Sequence, residues 1–193
     1  YTIDDKRTIG ATTLSELFTW IDSAYAVHNN MRIHTGGAIS MGYGILHGKS
    51  SKQKINVKSS TESELVGTCE YIPYNIWLVM FLAAQGYEMK NNTVYQDNMS
   101  TIKMLKNGRN SCTGNSRHIN VRYFFVKDRI NKGEFKVMYC PTRLMLADYF
   151  TKPLVGALFK EMRSVIMGNK SINDMNPVFL DKIKERVGIQ YEK

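Results

Sequence analysis

At Ser59-Ser60-Thr61-Glu62-Ser63-Glu64-Leu65 the hydrophobic period of this chain changes from two residues to about 3.6. Upstream, Lys52, Lys54 and Lys58 alternate with Gln53, Ile55 and Val57. That is the pattern of an edge strand whose lysines guard against mispairing or touch phosphate. Downstream, Leu65, Thr68, Cys69, Ile72, Ile76 and Val79 fall at helical spacing as far as about Gln85, and Pro73 is expected to kink or split that helix. A long helix entered from a strand must bury its stripe on a sheet.

The same reading supplies the other elements. Glu16 to Val27 is strand-like, with Phe18, Trp20 and Asp22 on one face and Leu17, Thr19 and Ile21 on the other. Thr35-Gly36-Gly37 reads as a turn. In the strand expected after it, Ile39, Met41, Tyr43 and Ile45 alternate with Ser40, Gly42 and Gly44, a nearly bare face open to close approach. His47-Gly48-Lys49-Ser50 turns the chain into the lysine strand, completing an antiparallel meander. Asn91 to Gln96 is a short strand ending at Asp97, and Asn98-Met99-Ser100 begins a helix closed by Asn107-Gly108. Ile119, Tyr123, Val126 and Ile130 mark another helix ending at Gly133, and Phe135 to Cys140 is a last strand. Pro141-Thr142 then caps a helix carrying Asp148, which breaks at Pro153 and resumes from Leu154 to Met167. Past Gly168 the chain is polar, with a weak helical patch at Val178 to Val187. This order predicts an α/β or α+β domain, a mixed sheet with helices over it, at residues 16–168. Residues 1–15 read as a linker and 169–193 as a tail.

Lys and Arg number 26 against 17 acids, a net charge of +9. From Lys103 to Arg143 the cations Lys103, Lys106, Arg109, Arg117, Arg122, Lys127, Arg129, Lys132, Lys136 and Arg143 are opposed only by Asp128 and Glu134. Such a segment suits a polyanion and predicts salt-sensitive binding. No apolar run approaches the ~20 residues that span a bilayer, so no membrane partner is expected. Cys69, Cys112 and Cys140 show no paired metal-ligand spacing and read as free intracellular thiols. A phosphate loop is excluded, since Gly44 and Gly48 enclose three residues where that motif needs four.

Four isolated acids, Asp22, Glu64, Asp97 and Asp148, each end a hydrophobic run or stand near the start of a helical one. Asp22 beside Trp20 has no capping duty and is costly unless something pairs it. Asp97 also fits a helix N-cap, and Asp148 an acid favoured by a helix dipole. Glu64 competes with Glu62, because Ser59-x-x-Glu62 and Thr61-x-x-Glu64 are both capping boxes. The two glutamates project about 200° apart, so only one serves a buried site. If Ser59 caps the helix, Glu62 closes the box and Glu64, on the side of the apolar stripe, faces the sheet; Glu64 is preferred. Carboxylates without a histidine–cysteine cluster favour magnesium or manganese over zinc. Two such ions, about 3.5–4 Å apart, would activate water and stabilise the leaving oxygen of a phosphodiester.

Several stretches resemble the ribonuclease H domain of copia-type (LTR) retrotransposon Pol polyproteins. They are Phe18-Thr19-Trp20-Ile21-Asp22-Ser23-Ala24-Tyr25, Lys49-Ser50-Ser51-Lys52-Gln53 and Ser59-Ser60-Thr61-Glu62-Ser63-Glu64-Leu65. Gln96-Asp97-Asn98, Arg117-His118-Ile119 and Ala147-Asp148-Tyr149-Phe150-Thr151-Lys152-Pro153-Leu154 continue the match in the family's order. The resemblance implies a five-stranded mixed sheet in order 3-2-1-4-5, and hydrolysis of the RNA strand of RNA–DNA hybrids during reverse transcription. It implies Asp22, Glu64, Asp97 and Asp148 as catalytic metal ligands for two magnesium or manganese ions. Hybrid contacts are expected from Lys52, Lys54, Asn98, Arg117, His118 and Arg143. The expected protein partner is the polymerase domain of the same polyprotein, joined through residues 1–15, in a cytoplasmic particle or the nucleus. Cellular ribonucleases H carry a histidine in the loop before the last acid; the loop here, residues 140–145, has none, leaving Arg143 or His118 as stand-ins. Two alternatives accompany this reading. One is a catalytically weak hybrid-binding tether for the polymerase. The other is an integrase-like transferase, whose late glutamate is not matched here.

Overall fold

The structure, a computed structural model, describes residues 15–107 and 117–175. Its strands are β1 (Glu16–Ala24), β2 (His34–Ser40), β3 (His47–Lys52), β4 (Asn91–Gln96) and β5 (Lys136–Tyr139). They form one mixed sheet in the order β3-β2-β1-β4-β5, the order that the resemblance implies. β1, β2 and β3 pair antiparallel, whereas β4 runs parallel to both β1 and β5. The helices are α1 (Ser60–Ala84), α2 (Met99–Asn107), α3 (Arg117–Asn131) and α4 (Gly156–Ile166).

The alternation in β1 divides the core in two. Leu17 and Ile21 join Leu65, Tyr71, Ile72, Tyr123 and Val126 on the face covered by α1 and α3. Trp20 joins Met145, Leu146, Met162 and Val165 on the opposite face. Where α1 crosses the sheet, Asn75 donates to Thr19 Oγ1 and exchanges hydrogen bonds with Asn92, each 2.8 Å long, so these buried amides are satisfied. Ser171 bridges to Tyr43, and Ile172 and Met175 pack with the second core.

The structure revises several element boundaries. β1 stops at Ala24, and the chain turns through Ala26 at φ 53. Thr35-Gly36-Gly37 lies inside β2, and residues 41–46 form the bend instead. Both glycines are there for closeness: a Cβ on Gly37 would lie 2.4 Å from the Tyr71 ring, and one on Gly36 would lie 2.8 Å from the Ala147 carbonyl oxygen. The third strand is His47–Lys52, because its partner β2 begins at His34, opposite Lys52. Beyond that pair Lys54 and Lys58 stay exposed while Ile55 and Val57 still reach the core.

α1 runs unbroken through Pro73. That residue faces solvent, where a displaced carbonyl can turn to water. By length and hydropathy α1 could cross a membrane; its first half is instead packed on the sheet, with Glu64, Thr68 and Ile72 buried. Its second half leaves Trp77, Met80 and Phe81 exposed. The helix expected to carry Asp148 is two short 3-10 turns, Thr142–Leu144 and Leu146–Phe150. Met145, fully buried and extended at ψ 90, separates them. The weak helical patch at Val178 to Val187 lies outside the described residues.

Candidate metal centre

Parallel pairing of β1 with β4 brings their C-terminal ends together, with Asp22 near the end of one strand and Asp97 just past the end of the other. Asp148 arrives on the second 3-10 turn, which packs on β2 against Gly36. One carboxylate oxygen from each of Asp22, Asp97 and Asp148 lies within 4.8 Å of the other two.

Glu64 stands beside this cluster rather than within it. Ser59 caps α1 by accepting the Glu62 N–H at 3.2 Å, and Glu62 accepts the Lys58 N–H at 2.8 Å. The cap thus occupies Glu62 and turns Glu64 inward, as the spacing favours. The Glu64 carboxylate accepts from Gln96 Nε2 at 3.2 Å and from the Ser23 backbone N–H. Gln96 also accepts the Asp97 and Asn98 N–H groups, so one side chain ties the end of β4 to α1. Asp97 is not a helix cap: Asn98 caps α2, its side-chain oxygen accepting the Thr101 N–H at 3.0 Å.

Each acid of the cluster has a polar partner. The Thr151 hydroxyl donates to Asp22, and the Thr142 hydroxyl donates to Asp97 at 3.2 Å. The Lys152 ammonium lies 2.8 Å from Asp148 and 3.8 Å from Asp22. Burial raises the pKa of Asp148 to about 7, the neighbouring acids adding to it and the Lys152 ammonium opposing it. Burial and the Asp22 charge also raise Asp97, and burial with the Asp22 and Asp97 charges raises Glu64 well above the ordinary range. Burial alone would lower Lys152, yet its hydrogen bond to Asp148 and the surrounding carboxylates raise it.

Lys152, Thr151, Thr142 and Gln96 carry no role in the sequence reading. Gln96, Thr151 and Lys152 do stand in the stretches that carry the resemblance, and Lys152 also follows Asp148 by four residues, a spacing that pairs side chains locally. In the loop without histidine, Thr142 touches an acid, while Arg143 is exposed. Arg117 and His118 are the first residues of α3, and their side chains lie outside the described set, as do Arg109 and Cys112.

Lys52 and Lys54 line a groove of about 600 Å³ with Lys49, Gln53, Tyr71 and Arg122. Thr35, also in its wall, pairs with Ser23, so the groove opens at the same end of the sheet as the acids. Within the basic segment, Arg122 pairs with Glu70, Arg129 with Glu134 and Lys132 with Asp128. Surface pairs of this kind are weak and reduce the positive field without cancelling it.

The chain is 31% identical over 124 residues to the retrovirus-related Pol polyprotein from transposon TNT 1-94 of Nicotiana tabacum, covering 64% of this chain and 9% of that protein. It is 28% identical over 156 residues to the corresponding protein from transposon RE1 of Arabidopsis thaliana, covering 80% and 10%. The chain therefore spans about a tenth of the length of these relatives. No protein-family model matches it. Among solved structures, an RNase H1 isolated from compost by a metagenomic approach superposes with a TM-score of 0.52 at 10% identity, over 70% of this chain and 92% of that one. At that identity the likeness is one of fold.

Proposed function

We propose that this chain, similar in sequence to the Pol polyproteins of copia- and Ty1-type retrotransposons and in fold to a ribonuclease H1, is a metal-dependent endoribonuclease that hydrolyses the RNA strand of RNA–DNA hybrids. The observation that supports this is the convergence of Asp22, Asp97 and Asp148 within 4.8 Å at one end of a 3-2-1-4-5 sheet. The donor set fits a hard cation: carboxylates without imidazole or sulfur, with the Lys152 ammonium lodged beside two of them as a stand-in ion. Asp22, Asp97 and Asp148, with Glu64 beside them, would hold magnesium or manganese, two ions in all, whose Lewis acidity when bound stabilises charge on the phosphodiester oxygens.

The chain's own residues fix the site in advance. Thr151 holds Asp22, Thr142 holds Asp97, and Gln96 with the Ser23 N–H holds Glu64. Ligands already oriented need little rearrangement when substrate arrives, which is where electrostatic catalysis draws its rate gain. Lys49, Lys52, Lys54 and Arg122 give the neighbouring groove the charge to hold a nucleic-acid backbone. An A-like hybrid is read mainly by shape and 2′-hydroxyl contacts, so little sequence preference is expected. The same proposal joins the domain through residues 1–15 to a polymerase domain of one polyprotein, working in a cytoplasmic particle or the nucleus.

The test is cleavage of a labelled RNA–DNA hybrid with magnesium by the wild type and by Asp97→Asn. Cleavage by the wild type and its loss by a factor of roughly 100 or more in the variant are expected, the scale of losing an electrostatic element of an active site. A wild type that binds hybrid without cutting it would make the domain a tether, and cutting of duplex DNA would make it a transferase.

A further inference from the structure

Among the described residues, the acidic cluster is paired with one cation, Lys152. Its backbone is held in a tight turn: the Lys152 N–H donates to the Asp148 carbonyl at 2.9 Å, and the Leu154 N–H donates to the Lys152 carbonyl at 2.9 Å. The side chain is 38% exposed and its ammonium is held by carboxylates rather than by the backbone of that turn, so it can swing outward without disturbing it. A lysine stem, four carbons with free rotation, allows such a movement.

The ammonium stands beside oxygens of Asp148 and Asp22, two of the three ligands of the candidate centre. A divalent ion bound to both carboxylates and an ammonium on the same oxygens would repel each other strongly at a few ångströms. Without either, the buried acids would repel one another. We propose that Lys152 is the resident counter-ion of the acidic cluster, which neutralises Asp148 and Asp22 in the metal-free protein and must be displaced by an incoming divalent cation, so that it sets the affinity of the site for metal. The proposal rests on the reading of the cluster as a metal centre, and makes Lys152 a positioning residue rather than a ligand.

Two consequences follow for Lys152→Met, which keeps a long stem and removes the charge. Metal has no competitor in the variant, so it binds more tightly. Repulsion is unrelieved in the absence of metal, so the metal-free protein melts lower. Manganese titration by calorimetry, with no nucleic acid present, is expected to give an affinity about tenfold higher for Lys152→Met than for the wild type, the equivalent of one pairing of moderate strength. Melting in EDTA should fall in the variant and return to or above the wild-type value with saturating manganese. Lys152→Arg keeps the charge and should restore the wild-type pattern in both measurements. Equal or weaker manganese binding by Lys152→Met, while the wild type binds normally, overturns the proposal and leaves the nuclease reading intact. No manganese binding by either protein defeats the metal-centre reading and the proposal with it. Should Lys152→Met fold only with manganese, the proposal is supported. Should it not fold at all, Lys152→Gln takes its place with the same expected outcomes.

Discussion

At the scale of single residues, the fold makes three carboxyls, Asp148, Asp97 and Glu64, reluctant to ionise. The Asp148 carboxyl, ordinarily near 3.8, is raised to about 7. A raised value means that the folded state holds the proton more tightly than the unfolded chain does. The cost of the ionised carboxyl is therefore absent below about pH 4, grows through the interval to about 7, and is fully present above it. Glu64 and Asp97 are raised in the same direction. In EDTA the protein should gain thermal stability on going from about pH 8 to about pH 5, and Asp148→Asn should flatten that slope. Melting curves across the interval check this, and saturating magnesium should restore stability at the alkaline end.

At the scale of elements, the site depends on how closely the second 3-10 turn lies on β2. Gly36 has no room for a Cβ: it would meet Thr151 Cγ2 at 2.7 Å, the Ala147 carbonyl oxygen at 2.8 Å and Phe150 Cβ at 2.8 Å. Gly36→Ala should push the turn outward, separating Asp148 and Thr151 from Asp22. It is expected to cost about 1–3 kcal/mol in denaturant unfolding and to weaken manganese binding in the same protein. This close approach also explains what the sequence conceals. Alternation in β1 and the run into Asp97 on β4 are local patterns, and they place both acids correctly at the end of the sheet. The Ser59 cap is local too, and it distinguishes Glu64 from Glu62. A Gly-Gly pair is ambiguous, because glycine serves a turn and a crowded strand equally well. Its meaning here is set by Tyr71 and by the 147–151 turn, far away in the chain. The bonds from Thr142 to Asp97 and from Thr151 to Asp22, and the approach of Lys152 to Asp22, are hidden for the same reason, since they exist only once residues 142–152 are docked on the sheet.

At the scale of the whole molecule, a chain with a net charge of +9 carries a cluster of three acids. Ion pairs with Glu70, Glu134 and Asp128 occupy part of the basic segment, while Lys52 and Lys54 remain exposed. Affinity for a hybrid should fall steeply and log-linearly between about 50 and 200 mM salt, measured by fluorescence anisotropy on an Asp97→Asn protein. A flat response would remove the basic surfaces from the account of binding. The bond from Thr151 to Asp22 closes a span of 129 positions. A nascent chain on the ribosome thus has no complete acidic cluster when β1 and β4 have already emerged, and any fragment cut before residue 148 lacks one of its three acids. Contacts of such long range are slow to form. On the proposed reading, metal uptake would be a clock for this protein: it would start when residues 142–152 have docked on the sheet, and its rate after dilution from denaturant would read the completion of folding.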